Sequence, residues 1–230
     1  MSGLPMMLSL AGVPVLVVGG GAVGTRRAGR MAAAGAAVRV VDPSAGGLPG
    51  AAGVELVPRG FEAADLDGVR IVVVATADAA VNEAVAAAVA TRPEPRPWLN
   101  RADEAAAGDL GFMAANAVGP MTVAVDSGGA SAGEARKLAG ELAASVDPDR
   151  GELLGAVARV RPLVRGLVED PAKRRELLAA MTSPEALARL KEEGPAALDA
   201  WLGGLVGRAR TPRRLAVGVK PAASDAERAG

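Results

Sequence analysis

The chain has 230 residues, enough for one large or two modest domains with a buried core; half of them are hydrophobic, yet there are only two Trp, two Phe and no Tyr. Twenty-six basic residues balance twenty-six acidic ones, so bulk charge points to neither a nucleic-acid binder nor a membrane-surface protein. With no Cys and no His, disulfides, thiolate nucleophiles, Cys-based zinc sites and an imidazole base are all excluded. Acid–base chemistry falls to Asp, Glu, Lys, Arg or the backbone. No basic region precedes the apolar N-terminal residues and no apolar run is long enough to span a bilayer, so a cytoplasmic, non-membrane protein is expected.

Met6–Leu10 is a short apolar lead-in, turned by Ala11-Gly12 into a first strand over Val13–Val18. Gly19, Gly21 and Gly24 follow at the G-x-G-x-x-G spacing, which turns a strand sharply into a helix beneath a pyrophosphate. Gly19 permits the turn, Gly21 lets the backbone approach the phosphates, and Gly24 brings the helix close to the sheet. Thr25–Ala34 reads as that helix, closed by Gly35, and Ala37–Val41 as a second strand ending in Asp42-Pro43. This is one βαβ unit. Asp42 lies eighteen residues after Gly24, near where an acidic side chain grips the ribose hydroxyls of a dinucleotide. An Asp-Pro after a strand is by itself an ordinary turn; behind this glycine loop the ribose role is the favoured reading.

Further along, Val54–Pro58 reads as a strand, Glu62–Leu66 as helical, and Val69–Ala75 as the strongest strand of the chain. That run holds no polar residue after Arg70, as expected of a strand covered on both faces. A helix over Val81–Ala90 and a short strand at Trp98–Asn100 complete the pattern. Gly19, Asp42, Thr76 and the Asn100–Asp103 segment all fall at carboxyl ends of predicted parallel strands, the edge that faces the ligand crevice in such sheets. Beyond Asp103, Phe112–Ala115 and Met121–Val125 read as strands joined by a hairpin connection at Asn116–Pro120. A Ser127-Gly128-Gly129 turn then leads to a helix over Glu134–Ser145. Only helical periodicity follows Gly151, and residues 208–230 lack it, so a disordered tail is expected there.

The order Gly-Gly-Gly-Ala-Val with Arg26-Arg27-Ala28, Ala75-Thr76-x-Asp78-x-x-Val81-Asn82, Asn100-x-x-Asp103 and Val123-Ala124-Val125-x-Ser127-Gly128-Gly129-x-Ser131 resembles one known family. It is that of the precorrin-2 dehydrogenases/sirohydrochlorin ferrochelatases, the N-terminal module of siroheme synthase and its stand-alone relatives. The resemblance covers roughly the first 190 residues, and its most specific part is Asn-x-x-Asp followed by the Ser-Gly-Gly segment. It implies an α/β protein: a Rossmann-like parallel-sheet domain over residues 1–112, a small α+β dimerisation region over 113–147 and an all-helical domain over 148–207. It implies a homodimer that oxidises precorrin-2 to sirohydrochlorin with NAD, and in many members insertion of iron or cobalt.

Carried onto this chain, the resemblance places Gly21, Ala22 and Val23 at the pyrophosphate, Asp42, Pro43 and Ser44 at the adenosine side, and Thr76 and Asp78 beneath the nicotinamide half. Asp103 matches the catalytic aspartate, and Ser127 with Gly128 the tetrapyrrole end of the cleft, with no resident metal site. A substrate rich in carboxylates would be positioned by nearby residues, for which Asn100, Arg101, Arg136 and Lys137 are candidates, with Arg159, Arg161 and Arg165 on the helical domain.

Plainer readings stand beside these. Asp103 could cap the segment Glu104–Ala107, Ser127-Gly128-Gly129 could be only a turn with Ser131 as the helix cap, and the three Arg could be a solvated helix face. Three departures from the family pattern also matter. Arg101 stands where a small apolar residue is usual, Asp126 where Ser is usual, and Ala132 where Pro is usual. Arg101 and Asp126 either pair with each other or mark an altered substrate. The alternatives in function are therefore a same-fold NAD-dependent dehydrogenase turned to another substrate, or a non-catalytic module that binds NAD or a chelator.

Overall fold

Short β-branched runs lie side by side in parallel wherever both of their faces can be covered. In the computed structural model, which describes residues 3–45 and 52–209, five such runs form one sheet. They are β1 (Pro14–Val18), β2 (Ala37–Val41), β3 (Val54–Val57), β4 (Ile71–Val74) and β5 (Trp98–Arg101), in the order β3-β2-β1-β4-β5 with every pair parallel. Successive strand residues point to opposite faces. Val15 and Val17 accordingly pack with Ala28 and Met31 of α1 (Ala22–Ala33), while Leu16 and Val18 pack with Val85 and Val89 of α2 (Ala79–Ala90). This is the Rossmann-like order, with its reversal between β1 and β4.

The helices start earlier than the apolar pattern suggests, and each difference has a local cause. Gly21 takes the extended conformation of an N-cap, so α1 begins at Ala22 rather than Thr25, whose hydroxyl instead donates to the Gly20 carbonyl at 2.8 Å. Asp78 accepts the Ala80 and Val81 N–H groups, so α2 begins at Ala79 rather than Val81. Ser131 Oγ accepts the Glu134 N–H at 3.1 Å, and α3 (Ala132–Ser145) starts directly after it.

The described residues belong to two units, Met1–Ala115 with Ala124–Ala139, and Asn116–Val123 with Gly140–Gly230. The first holds the parallel sheet. In the second, four helices surround a core of Leu153, Val157, Val164, Met181, Leu190, Leu198 and Leu202. They are α4 (Pro148–Leu167), α5 (Pro171–Met181), α6 (Pro184–Glu193) and α7 (Pro195–Ala209), each opening on a proline, whose fixed φ and missing N–H suit a first helical turn.

A two-stranded sheet pairs β6 (Ala114–Val118) with β7 (Met121–Val125). Its connection is the two-residue turn Gly119-Pro120 and not the longer Asn116–Pro120 link expected from sequence. Gly119 at φ 57° closes the turn tightly enough to leave Asn116 inside the strand. Arg208 and Ala209, expected to open a disordered tail, end α7, and the rest of that tail lies outside the described residues. No helix among the described residues is long and apolar enough to cross a membrane.

Candidate active site

The carboxyl end of the sheet begins with the glycine loop. A Cβ on Gly19, at φ 104°, would meet the Ala75 carbonyl at 2.7 Å, and one on Gly24 would lie 1.9 Å from the Gly19 carbonyl oxygen. These two glycines are there for packing of the loop on β4 and on α1. Gly21 differs, because a Cβ on it would meet nothing within 4 Å. It caps α1 without a side-chain hydrogen bond, and no acidic residue occupies the first turn. The first N–H groups of the helix, Ala22 and Val23 among them, therefore face open space with the positive end of the helix dipole behind them. Such a place suits a phosphate.

Asp42, at the end of β2, reaches across to this loop. Its Oδ2 accepts the Gly20 N–H at 2.7 Å, and its Oδ1 accepts the Ser44 N–H at 2.7 Å together with the Ser44 hydroxyl. The Gly20 N–H, and then Ser44, hold the Asp42 carboxyl below its ordinary range. Pro43 and Ser44 are exposed beside it. An ionised carboxylate fixed next to an uncapped helix start is the arrangement that fits the ribose and pyrophosphate of a dinucleotide.

A second group forms at the ends of β4 and β5. Asn82, on the first turn of α2, is 2% exposed; its Oδ1 accepts the Thr76 hydroxyl, and its Nδ2 donates to Asp103 Oδ2 at 3.0 Å and to the Thr76 carbonyl at 3.2 Å. Thr76 Oγ1 also accepts the Asp78 N–H at 3.1 Å. Asp103 does not cap the following turn, a 3-10 segment at Ala105–Ala107 that starts from Glu104 without a side-chain cap. It turns back to Arg101, which donates from Nη2 to Oδ2 at 2.7 Å and from Nε to Oδ1 at 3.2 Å. Arg101 also donates to Glu83 Oε1 at 2.6 Å and lies 3.9 Å from Glu104 Oε2. The Arg101 bonds first, and the Asn82 bond after burial's opposing effect, hold the Asp103 carboxyl far below the usual carboxylate range.

Arg101 thus pairs with Asp103 and Glu83, and the pairing with Asp126 weighed on sequence does not form. The guanidinium is 6% exposed and committed to these partners, while Asp103 remains one-third exposed at 33%. Asn100, the neighbour of Arg101, is also buried: its Oδ1 accepts Arg27 Nη1, and its Nδ2 donates to the Leu110 carbonyl at 2.7 Å. Arg27 in turn lies over the Phe112 ring at 4.9 Å.

The remaining candidates sit in local structure. Ser127 Oγ accepts the Ser131 N–H at 3.1 Å, and Gly128 and Gly129 turn the chain at φ 63° and 88°. Arg136 is exposed on α3. In the helical unit Arg159 donates to Asp199 at 2.8 Å, and Arg161 and Arg165 are exposed on α4. Sequence reasoning did not single out Asn82, Glu83 or Arg27 as members of the site. A signal for Asn82 existed: it shares with Val85 and Val89 the buried stripe of a helix that, apart from Glu83, is otherwise made of Ala and Val. A lone amide in such a stripe must find partners.

Residues 6–114 match a family model described as NAD(P)-binding. Siroheme synthase of Pseudomonas entomophila is 39% identical over 176 residues, 75% of this chain and 37% of that protein. Siroheme synthase of Methylococcus capsulatus is 36% identical over 98% of this chain and 45% of that protein. The chain therefore spans about two-fifths of the length of these curated relatives. Among solved structures, SirC, a precorrin-2 dehydrogenase, superposes with a TM-score of 0.70 at 25% identity, covering 88% of this chain and 98% of that one.

Proposed function

Since the chain belongs to the precorrin-2 dehydrogenase/sirohydrochlorin ferrochelatase family, the group that includes the N-terminal module of siroheme synthase, we propose that it oxidises precorrin-2 to sirohydrochlorin with NAD. The observation that carries this reading is the convergence, at one end of one sheet, of an uncapped helix start, the Asp42 carboxylate and the ionised Asp103.

NAD, when bound, supplies the two-electron acceptor. The backbone N–H groups of Ala22 and Val23 would hold its pyrophosphate, with Gly21 leaving room for the approach and Gly19 and Gly24 setting the loop against β4 and α1. Asp42 takes a ribose hydroxyl, with Pro43 and Ser44 lining that side. Thr76 and Asp78 lie at the nicotinamide half, where the Thr76 hydroxyl is oriented by Asn82. Asp103 is the catalytic carboxylate. Asn100 and Arg101 support this end of the cleft, and Ser127, Gly128 and Arg136 meet the carboxylate-rich macrocycle.

The same reading includes a cytoplasmic location and a homodimer, the latter favoured by Leu138 and Leu142, exposed one turn apart on α3. Metal insertion is a further step of the reading, with iron or cobalt as substrate. In that step the macrocycle nitrogens supply most of the ligation.

Anaerobic incubation with enzymatically made precorrin-2 and NAD tests the activity. NADH absorbance and the sirohydrochlorin spectrum should rise together. Folded protein that binds NAD but turns over no precorrin-2 would overturn the reading and favour a same-fold dehydrogenase for another substrate. The buried Arg101 in place of a small apolar residue is the observation on that side.

A further inference from the structure

The chemistry of this inference rests on the proposed dehydrogenation, but its principal test does not. Both oxygens of Asp103 are held by side chains from two elements. Arg101, at the end of β5, forks onto Oδ1 and Oδ2, and Asn82, on α2, adds a second bond to Oδ2. Arg101 is itself gripped from behind by Glu83, and Asn82 by Thr76. We propose that Arg101, together with Asn82, is a positioning residue that locks Asp103 as a fixed anion, so that this carboxylate acts in the reaction by its charge and not by taking up a proton.

The argument is one of donors and acceptors. A protonated carboxyl carries an O–H donor, and each Asp103 oxygen already faces an N–H. Three N–H donors occupy its lone pairs, two on Oδ2 and one on Oδ1, and a guanidinium cannot give up a proton. Protonation at the position left on Oδ1 would reduce a charge-assisted fork to bonds on a neutral acid, and is disfavoured by that loss. The charged groups around it are Arg101 on β5, Glu83 on α2 and Glu104 on the following segment; the two glutamates are well exposed, and Arg101 lies within 3.9 Å of all three acids. Its lowered pKa agrees with this geometry.

The proposed oxidation removes a hydride and a proton from the macrocycle. The hydride carries both electrons to the nicotinamide, leaving positive charge on the macrocycle, and the proton then departs from a ring nitrogen to water. A fixed negative charge nearby stabilises that cationic stage, and no proton comes to rest on Asp103.

The test is a carboxyl-carbon NMR titration of the full chain, labelled at Asp, with the Asp103 signal identified by its loss in Asp103→Asn. In the wild type this signal should not titrate between about pH 3.5 and 8, whereas an ordinary Asp has its midpoint near 3.9. In Arg101→Leu the midpoint should return to about 3.9 or above. Glu83→Gln, which loosens Arg101 without touching the donors on Asp103, should move it the same way by less, and it serves if Arg101→Leu fails to fold. With precorrin-2, kcat of the wild type should stay flat on the acid side, while Arg101→Leu should acquire an acid limb and Arg101→Lys should restore part of the flat profile. A wild-type Asp103 that titrates near pH 4, or an unmoved midpoint in the variants, would overturn the proposal. A locked Asp103 in a chain that turns over no precorrin-2 would instead overturn the dehydrogenase reading and leave the lock standing.

Discussion

Asp42 Oδ2 accepts the Gly20 N–H at 2.7 Å, which ties the acid that ends β2 to the loop that ends β1. On the proposed reading, its charge therefore stays where a ribose 2′-substituent would lie. A 2′-phosphate placed there meets a fixed carboxylate, so NAD should bind at least about tenfold more tightly than NADP, a difference of about 1.4 kcal/mol. Asp42→Asn should narrow that gap, as read by calorimetric titration of both cofactors. Equal affinities for the wild type would remove Asp42 from the ribose site.

The glycines of the loop divide into two kinds, and alanine substitutions should separate them. In Gly24→Ala the new Cβ cannot coexist with the Gly19 carbonyl, so α1 must shift. This should cost about 2 kcal/mol in unfolding free energy, and NAD binding with it. In Gly21→Ala the Cβ enters open space at an ordinary φ of −64°, so thermal stability should hold while NAD affinity falls. Unfolding curves and cofactor titrations of the two variants check this. A stable Gly24→Ala would show that the loop is more compliant than its contacts indicate.

Gly119 and Gly151 should behave as a pair. A Cβ on Gly119 would lie 2.8 Å from Gly151 Cα, and φ at Gly119 is 57°, so alanine there is strained twice. Gly119→Ala should lower stability by about 1–3 kcal/mol, measured by denaturant unfolding. Gly128→Ala, also at positive φ but with nothing near its Cβ, should cost less.

Acid should weaken the sheet unit. Asp109 accepts Arg96 at 2.6 and 2.8 Å and the Leu99 N–H at 2.8 Å, and the Arg96 bonds lead in lowering its pKa. Asp42 and Asp103 are lowered as well. A carboxyl whose folded pKa lies below its unfolded value of about 3.9 stabilises fully above that value and loses its contribution as pH falls towards the folded one. Melting temperature should thus drop steeply below about pH 4 and be nearly level above about pH 5. Asp109→Asn, less stable at neutral pH, should show a shallower acid slope. An unchanged slope would exclude Asp109 from the effect.

The central strands of the sheet were readable because β1 and β4 are buried on both faces, and an unbroken β-branched run such as Ile71–Val74 suits a strand covered on both sides. The glycine spacing and Asp42 were readable for the same kind of reason, since short-range backbone needs leave short-range patterns. Asp78, placed at the nicotinamide half by resemblance alone, also caps α2, since its carboxylate accepts the Ala80 and Val81 N–H groups; that local role was not read from the sequence. The partners of Asp103 were not readable. Asn82 and Glu83 lie on a separate element, and no periodicity carries a side-chain bond between α2 and β5. Arg101, recognised as a change of charge, gave no indication of which of the nearby acids would take it.

Asn100 and Arg101 are consecutive in β5, opposite Val73 and Val74 of β4, and they bond to opposite sides of the sheet, the amide to Arg27 of α1 and the guanidinium towards Glu83 of α2. One peptide step therefore rivets the two helical layers to each other through the strand between them. A single-residue insertion or deletion ahead of residue 100 would exchange these neighbours between layers. The cation would then be driven against Arg27 and Phe112, and Asp103 would be left facing an amide. The phase of this one strand is thus a heritable setting of the acidic centre, and length changes in the Pro-rich approach to it must be absorbed before Trp98 is reached.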